Sequence, residues 1–186
     1  MPTNRPYTHC LSRRSAALCM VSMALAAGEP QSAAEYEVKA AMLVNFTKFV
    51  EWPDASGPLV IGLLGRDPFG HALEAVLEEQ RTGPGRQIVV RREAQVPKDA
   101  VHVLFIARSE RRRMAECLAQ LAGRPVLTVS DAEGFARLGG MIEFILEDDR
   151  VRFGCNAKAA QKAGVRISSR LLNLATANVD GEGGPR

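Results

Sequence analysis

Few residues in this chain have types and spacings that could do chemistry. Gly62, Gly65 and Gly70 fall where a phosphate loop could follow a strand. Their spacing is not G-x-G-x-x-G, and no Lys-Ser/Thr pair completes a P-loop, so they read as turn glycines. His71 and His102 lie too far apart in sequence to suggest a metal pair, and Cys117 and Cys155 fit no zinc spacing. Ser130-Asp131 lacks the G-x-S-x-G turn that exposes a hydrolytic serine and reads as helix capping. Glu143, Glu147, Asp148 and Asp149 could pair as acid and base, but an exposed hairpin edge and its turn account for them more simply. No catalytic, metal or cofactor-binding constellation emerges. The expectation is a protein that works without chemistry of its own.

Charge offers a different kind of site. Arg108, Arg111, Arg112 and Arg113 form the densest basic cluster. It reads either as a solvated helix face partly paired with Glu110 and Glu116, or as a docking patch for an acidic partner. Arg150 and Arg152 stand opposite Glu143 or Glu147 and predict cross-strand charge pairs. Such pairs are worth under about 1 kcal/mol each when exposed.

These residues need elements to hold them. Ile142, Phe144 and Leu146 alternate with Met141, Glu143, Ile145 and Glu147. After Asp148-Asp149, Val151, Phe153 and Cys155 alternate with Arg150, Arg152 and Gly154. Period-two apolarity on both sides of a short acidic turn predicts a β-hairpin with one buried face. Asn156 then caps a helix that Gly164 ends, Val165 to Ile167 is extended, and Ser168 caps a last helix. Before the hairpin, strands at 59–64, 88–90, 101–107 and 126–129 alternate with helical stretches. Asp67-Pro68 opens one of these helices and Ser109 caps another. A first helix is expected over 35–51, with Val38, Met42, Phe46, Phe49 and Val50 as its buried stripe, ended by Pro53. Trp52, the single tryptophan, is expected to pack at that end. This order predicts an α/β fold: a mixed sheet with helices on both faces, and a C-terminal β-hairpin followed by helix-strand-helix.

Residues 1–27 read as a signal peptide. Arg13-Arg14 precede an apolar run of about ten residues, too short to span a bilayer, and small residues follow at Ala24 to Ala27. Ser12-Arg13-Arg14 resembles a twin-arginine start but lacks its continuation, so ordinary export is expected. The leader holds three of the 24 basic residues and no acidic one, which leaves 21 basic against 21 acidic. A neutral mature chain has no global pull toward nucleic acid or anionic lipid. Residues 28–178 are expected to form one domain, and 179–186 a flexible Gly-rich tail. Export puts Cys117 and Cys155 in an oxidising compartment, where they are open either to a disulfide or to burial as free thiols.

Several fragments carry a family resemblance. Lys39-Ala40-Ala41, Asn45 through Pro53, Pro125 through Asp131, Gly139-Gly140-Met141-Ile142, Arg150-Val151-Arg152-Phe153 and Ile167 through Leu172 occur in order. Together they resemble the YfiR family of periplasmic regulators, from about Tyr36 to Leu174. The resemblance implies an α/β sandwich, able to dimerise, that acts by binding. Its expected partner is the periplasmic sensory domain of an inner-membrane diguanylate cyclase, whose cyclic di-GMP synthesis it represses. An outer-membrane lipoprotein of the OmpA type is expected to capture the repressor. The resemblance does not place the partner surface. From charge and exposure, the expected contacts are Glu143, Arg150, Arg152, Arg111 and Arg112. The alternative is a periplasmic small-ligand-binding module feeding another receptor.

Overall fold

The computed structural model describes residues 33–53, 56–80 and 86–178. The expected leader and tail lie outside them. Helix α1 (Ala33–Phe46) passes through a 3-10 turn (Thr47–Phe49) into β1 (Val50–Glu51). Then come β2 (Leu59–Leu64), α2 (Ala72–Gln80), β3 (Ile88–Glu93) and β4 (Val103–Ile106). A 3-10 stretch (Arg108–Arg113) leads into α3 (Met114–Gln120), then β5 (Leu127–Ser130) and the hairpin β6 (Ile142–Glu147) and β7 (Arg150–Cys155). The described chain ends with α4 (Ala157–Lys162), β8 (Arg166–Ile167), α5 (Ser169–Leu174) and β9 (Ala177–Asn178).

The main sheet has seven strands in the order β3-β2-β4-β5-β6-β7-β9. Pairing from β3 to β6 is parallel, β6–β7 is antiparallel, and β7–β9 is parallel. The first five strands follow the doubly wound α/β order, in which the winding reverses once, here between β2 and β4. Separately, β1 and β8 pair antiparallel through Val50 and Ile167, tying the end of α1 to the start of α5.

Strand alternation sorts side chains into two cores. Ile61, Leu63, Val103, Phe105, Leu127, Val129, Ile142, Phe144 and Phe153 join a cluster with residues of α1, α2, α4 and α5. Leu64, Leu104 and Ile106 point the other way, against Met114, Cys117, Leu121 and Phe135. Helices therefore cover both faces, as the sequence predicts. The hairpin, its turn at Asp148-Asp149 and the caps at Asn156 and Ser168 also stand where expected. Trp52 packs its ring edge-on against His102 and donates to the His102 carbonyl at 3.1 Å.

Four local expectations fail. Asp67-Pro68 opens no helix: α2 starts at Ala72, and Asp67 Oδ1 accepts from the Phe69 N–H at 2.8 Å. Helix α1 ends at Phe46, and its buried face is Glu35, Lys39, Ala40, Leu43, Val44 and Phe46, while Val38 is 47% exposed. Ser109 caps no helix; its hydroxyl accepts from the Arg66 N–H at 2.9 Å. Ser130-Asp131 caps no regular helix: residues 133–138 form turns, and Ser130 donates to the Ile106 carbonyl at 2.6 Å while accepting from Ala132 N–H.

Candidate functional site

Strands β4, β5 and β6 run parallel, so whatever follows their carboxyl ends gathers at one edge of the sheet. The basic stretch 108–113 follows β4, Asp131 follows β5, and the hairpin tip follows β6. Adjacent strands lie about 4.8 Å apart, so β6 is displaced about 10 Å from β4. The fold thus places two charged groups that are 40 residues apart in sequence at the same edge of the sheet.

The tip extends past its neighbours. β5 pairs with β6 only at Ile142 and Glu143, and β9 pairs with β7 only at Gly154 and Cys155. Asp148 and Asp149 have φ of 50° and 57°, the left-handed pair that a tight two-residue hairpin needs. Arg150 and Arg152 are exposed, and Arg152 Nε reaches Glu147 Oε2 diagonally at 2.9 Å. Leu146, 51% exposed, caps the opposite face of the tip.

Glu143 faces elsewhere. Its two carboxylate oxygens accept from Gly134 N–H at 2.8 Å and Ala136 N–H at 2.9 Å. It holds the 133–138 turns against β6, so its charge is spent within the fold. The basic stretch divides similarly. Arg108, exposed overall, donates to the Asp131 carbonyl at 3.1 Å, and Arg113 sits near Glu110 and Glu116. Arg111 and Arg112 are exposed, and among the described residues their side chains form no ion pair.

Behind this edge lies a buried charge cluster that the sequence did not announce. Lys39, 1% exposed, puts its ammonium 2.6 Å from Glu35 Oε1 and 3.7 Å from Asp131 Oδ2. It also lies 4.7 Å from the centre of the Tyr36 ring. The Tyr36 hydroxyl donates to Asp131 Oδ2 at 2.7 Å. The only sequence signal was the i,i+4 spacing of Glu35 and Lys39, which usually marks a solvated pair.

Burial, then the hydrogen bond to Asp131, push the Tyr36 phenol well above its ordinary range. A raised folded-state value contributes stability below the unfolded value of about 10 and loses it as pH rises beyond. Tyr7 is the only other tyrosine. In a Tyr7→Phe protein, absorbance at 295 nm should therefore show no tyrosinate up to about pH 11, and then a rise that coincides with unfolding. A smooth titration near pH 10 would mean the phenol is solvated.

Doubly wound folds usually bind ligands in the crevice where the winding reverses. Here that crevice lies between the carboxyl ends of β2 and β4, and the chain's own side chains fill it. A Cβ on Gly65 would meet Ser109 Oγ at 2.6 Å and Glu110 Cγ at 2.8 Å. Among the described residues no group of three His, Cys, Asp or Glu side chains could hold a metal ion. His102 is built into the sheet, where its Nδ1 accepts from Val60 N–H at 3.1 Å.

Cys117 and Cys155, which the sequence left open to a disulfide, are free, buried thiols in this structure. They belong to different clusters, on opposite faces of the sheet. Burial raises both thiols, and Cys155 is pushed up to about 11. Neither should react quickly with a thiol reagent in the folded protein. With the leader removed, denaturation should release two reactive thiols, whereas a bridged protein would release none.

The architecture defines a doubly wound α/β protein with outward-facing charge at the edge where such folds keep their ligands. The model of a protein family described as YfiR/HmsC-like matches residues 36–176. The chain belongs to that family.

Proposed function

We propose that this chain is an exported, non-enzymatic regulator. It binds the periplasmic sensory domain of an inner-membrane diguanylate cyclase and holds cyclic di-GMP synthesis off. In this reading, residues 1–27 are removed on export, 28–178 are the working domain and 179–186 a polar tail. Membership of the YfiR/HmsC-like family supports regulation as the role. The observation that carries the binding reading is the carboxyl edge of the sheet. Its ligand crevice is filled by Ser109 and Glu110, while Arg111, Arg112, Arg150 and Arg152 face outward.

Repression then works by population shift. The regulator binds the silent cyclase conformation more tightly than the active one, because equal affinity would shift nothing. An OmpA-type outer-membrane lipoprotein would release the cyclase by capturing the regulator, and self-association would compete with either partner.

Co-expression with the cyclase should lower cyclic di-GMP. Reversing Arg111 and Arg112, or Arg150 and Arg152, to glutamate should restore it while thermal stability stays near wild type. An unchanged cyclic di-GMP level with the unaltered regulator would rule the reading out. A second reading, a small-ligand-binding module, draws on an open depression of about 570 Å³ bordered by Glu51, Gln161, Arg166 and Leu172. A metabolite that raised the melting temperature by several degrees would favour it.

A further inference from the structure

At the opposite, amino edge of the parallel strands lies an open groove of about 530 Å³ between α3 and α4. Val126 and Met141, which precede β5 and β6, form its floor with Thr128. We propose that this groove is a docking site for an acidic amphipathic helix of a partner protein. The proposal does not depend on the partner being a cyclase.

The walls are low. Ala119 on α3 and Ala163 at the end of α4 present only methyl groups, so another backbone can come close. Leu118 is half-buried beside them, and Leu138 stands on the rim 53% exposed. The backbone fixes Leu138 there. Its N–H bonds to the Gly134 and Phe135 carbonyls at 3.1 Å each, and Gly139 and Gly140 bond back to Ala136 and Phe135. This is an apolar contact held in place before anything binds, which lowers the ordering cost of association.

The charge around the groove has one sign. Arg137, Lys158 and Lys162 line it, and among the described residues no Asp or Glu does. The polar residues in its floor, Thr128 and Asn156, are each 2% exposed and bond to neighbouring backbone. Asn156 donates to the Ala136 carbonyl at 3.0 Å and accepts from Ala159 N–H at 2.9 Å, and Thr128 Oγ1 accepts from Met141 N–H at 3.1 Å. A small polar metabolite needs a few convergent polar groups to orient it, and these two side chains present almost no surface to the groove. An apolar stripe at i, i+3, i+4 and i+7, flanked by glutamates, matches both the methyl-lined trough and its basic rim.

Fluorescence anisotropy with the purified protein and labelled helical peptides of about 18 residues, five turns, tests this. One peptide carries a leucine stripe with glutamates elsewhere, and its control replaces every glutamate with lysine. The acidic peptide should bind, weakening as salt rises, and the lysine version should bind at least about tenfold more weakly. Ala119→Arg, which fills the trough, and Arg137→Glu with Lys162→Glu should each cost about tenfold or more. Arg111→Glu with Arg112→Glu, at the far edge, should leave binding unchanged. The proposal fails if the acidic peptide does not bind, or if the groove variants bind it as the unaltered protein does. It also fails if decanoate occupies the groove more tightly than the peptide and excludes it, which would assign the groove to small amphiphiles.

Discussion

Lys39→Met is expected to cost about 3–5 kcal/mol of folding stability, read as a shift in the urea midpoint at neutral pH. The ammonium is 1% exposed and lies within 3.7 Å of two carboxylates, Glu35 and Asp131, both also buried. Methionine keeps most of the volume, so the loss comes from charge rather than from a cavity. Two negative groups would then lie in a low-dielectric site without the cation between them, and Asp131 Oδ1 already makes no hydrogen bond among the described residues. Adding Glu35→Gln to Lys39→Met should recover about 1–3 kcal/mol, because the two substitutions act on one pair. A single-mutant loss below about 1 kcal/mol would show that water reaches the cluster. The cluster joins α1 to the loop after β5, whose Asp131 carbonyl also accepts from Arg108 of the basic stretch.

Gly140→Ala is expected to destabilise by about 3 kcal/mol, for steric reasons alone. Gly140 packs directly beneath Phe135, so a Cβ there would overlap three atoms of the ring. Phe135 is fully buried against the second core and has no space to yield. The same turn bonds Gly140 N–H to the Phe135 carbonyl at 3.0 Å, so the backbone cannot back away without losing that bond. In a Phe135→Leu background the added methyl should cost less than about 1 kcal/mol. Equal cost in both backgrounds would place the strain in the backbone instead. The pair Gly139-Gly140 thus has two separate reasons to be glycine. Gly139 has φ of +101°, and Gly140 makes room for a ring.

Much of the frame was legible locally. Alternation fixed the hairpin to its register, because a slip of one residue would turn Phe144, Phe153 and Cys155 out to solvent. Caps and turn residues marked helix ends because their hydrogen bonds stay within a few residues, as from Asn156 to Ala159 and from Ser168 to Leu171. Helix α1 was misread for the complementary reason. Its buried stripe contains Lys39 and Glu35, which a hydrophobic period scores as surface, so the apolar Val38 looked like core. The second carboxylate beside that lysine, Asp131, lies 92 residues away. The site divided along the same line. Arg111, Arg112, Arg150 and Arg152 were found as exposed charge, but Glu143 was not seen to be held by Gly134 and Ala136.

Local pattern was enough for the order of the main strands and helices (though not for β1 or β9), for the hairpin with its two-residue turn, and for the family to which the chain belongs. These rest on periods and contacts spanning a few residues, or on fragments kept in order along the chain. The assembled fold was needed to show which charges are buried, that Ser109 and Glu110 pack onto Gly65 at the reversal of the sheet, and that the hairpin tip and the basic stretch share one edge. Parallel pairing and close packing bring together residues that no local pattern relates. Whether a charged side chain meets solvent or a buried counter-charge is settled only when those distant partners arrive.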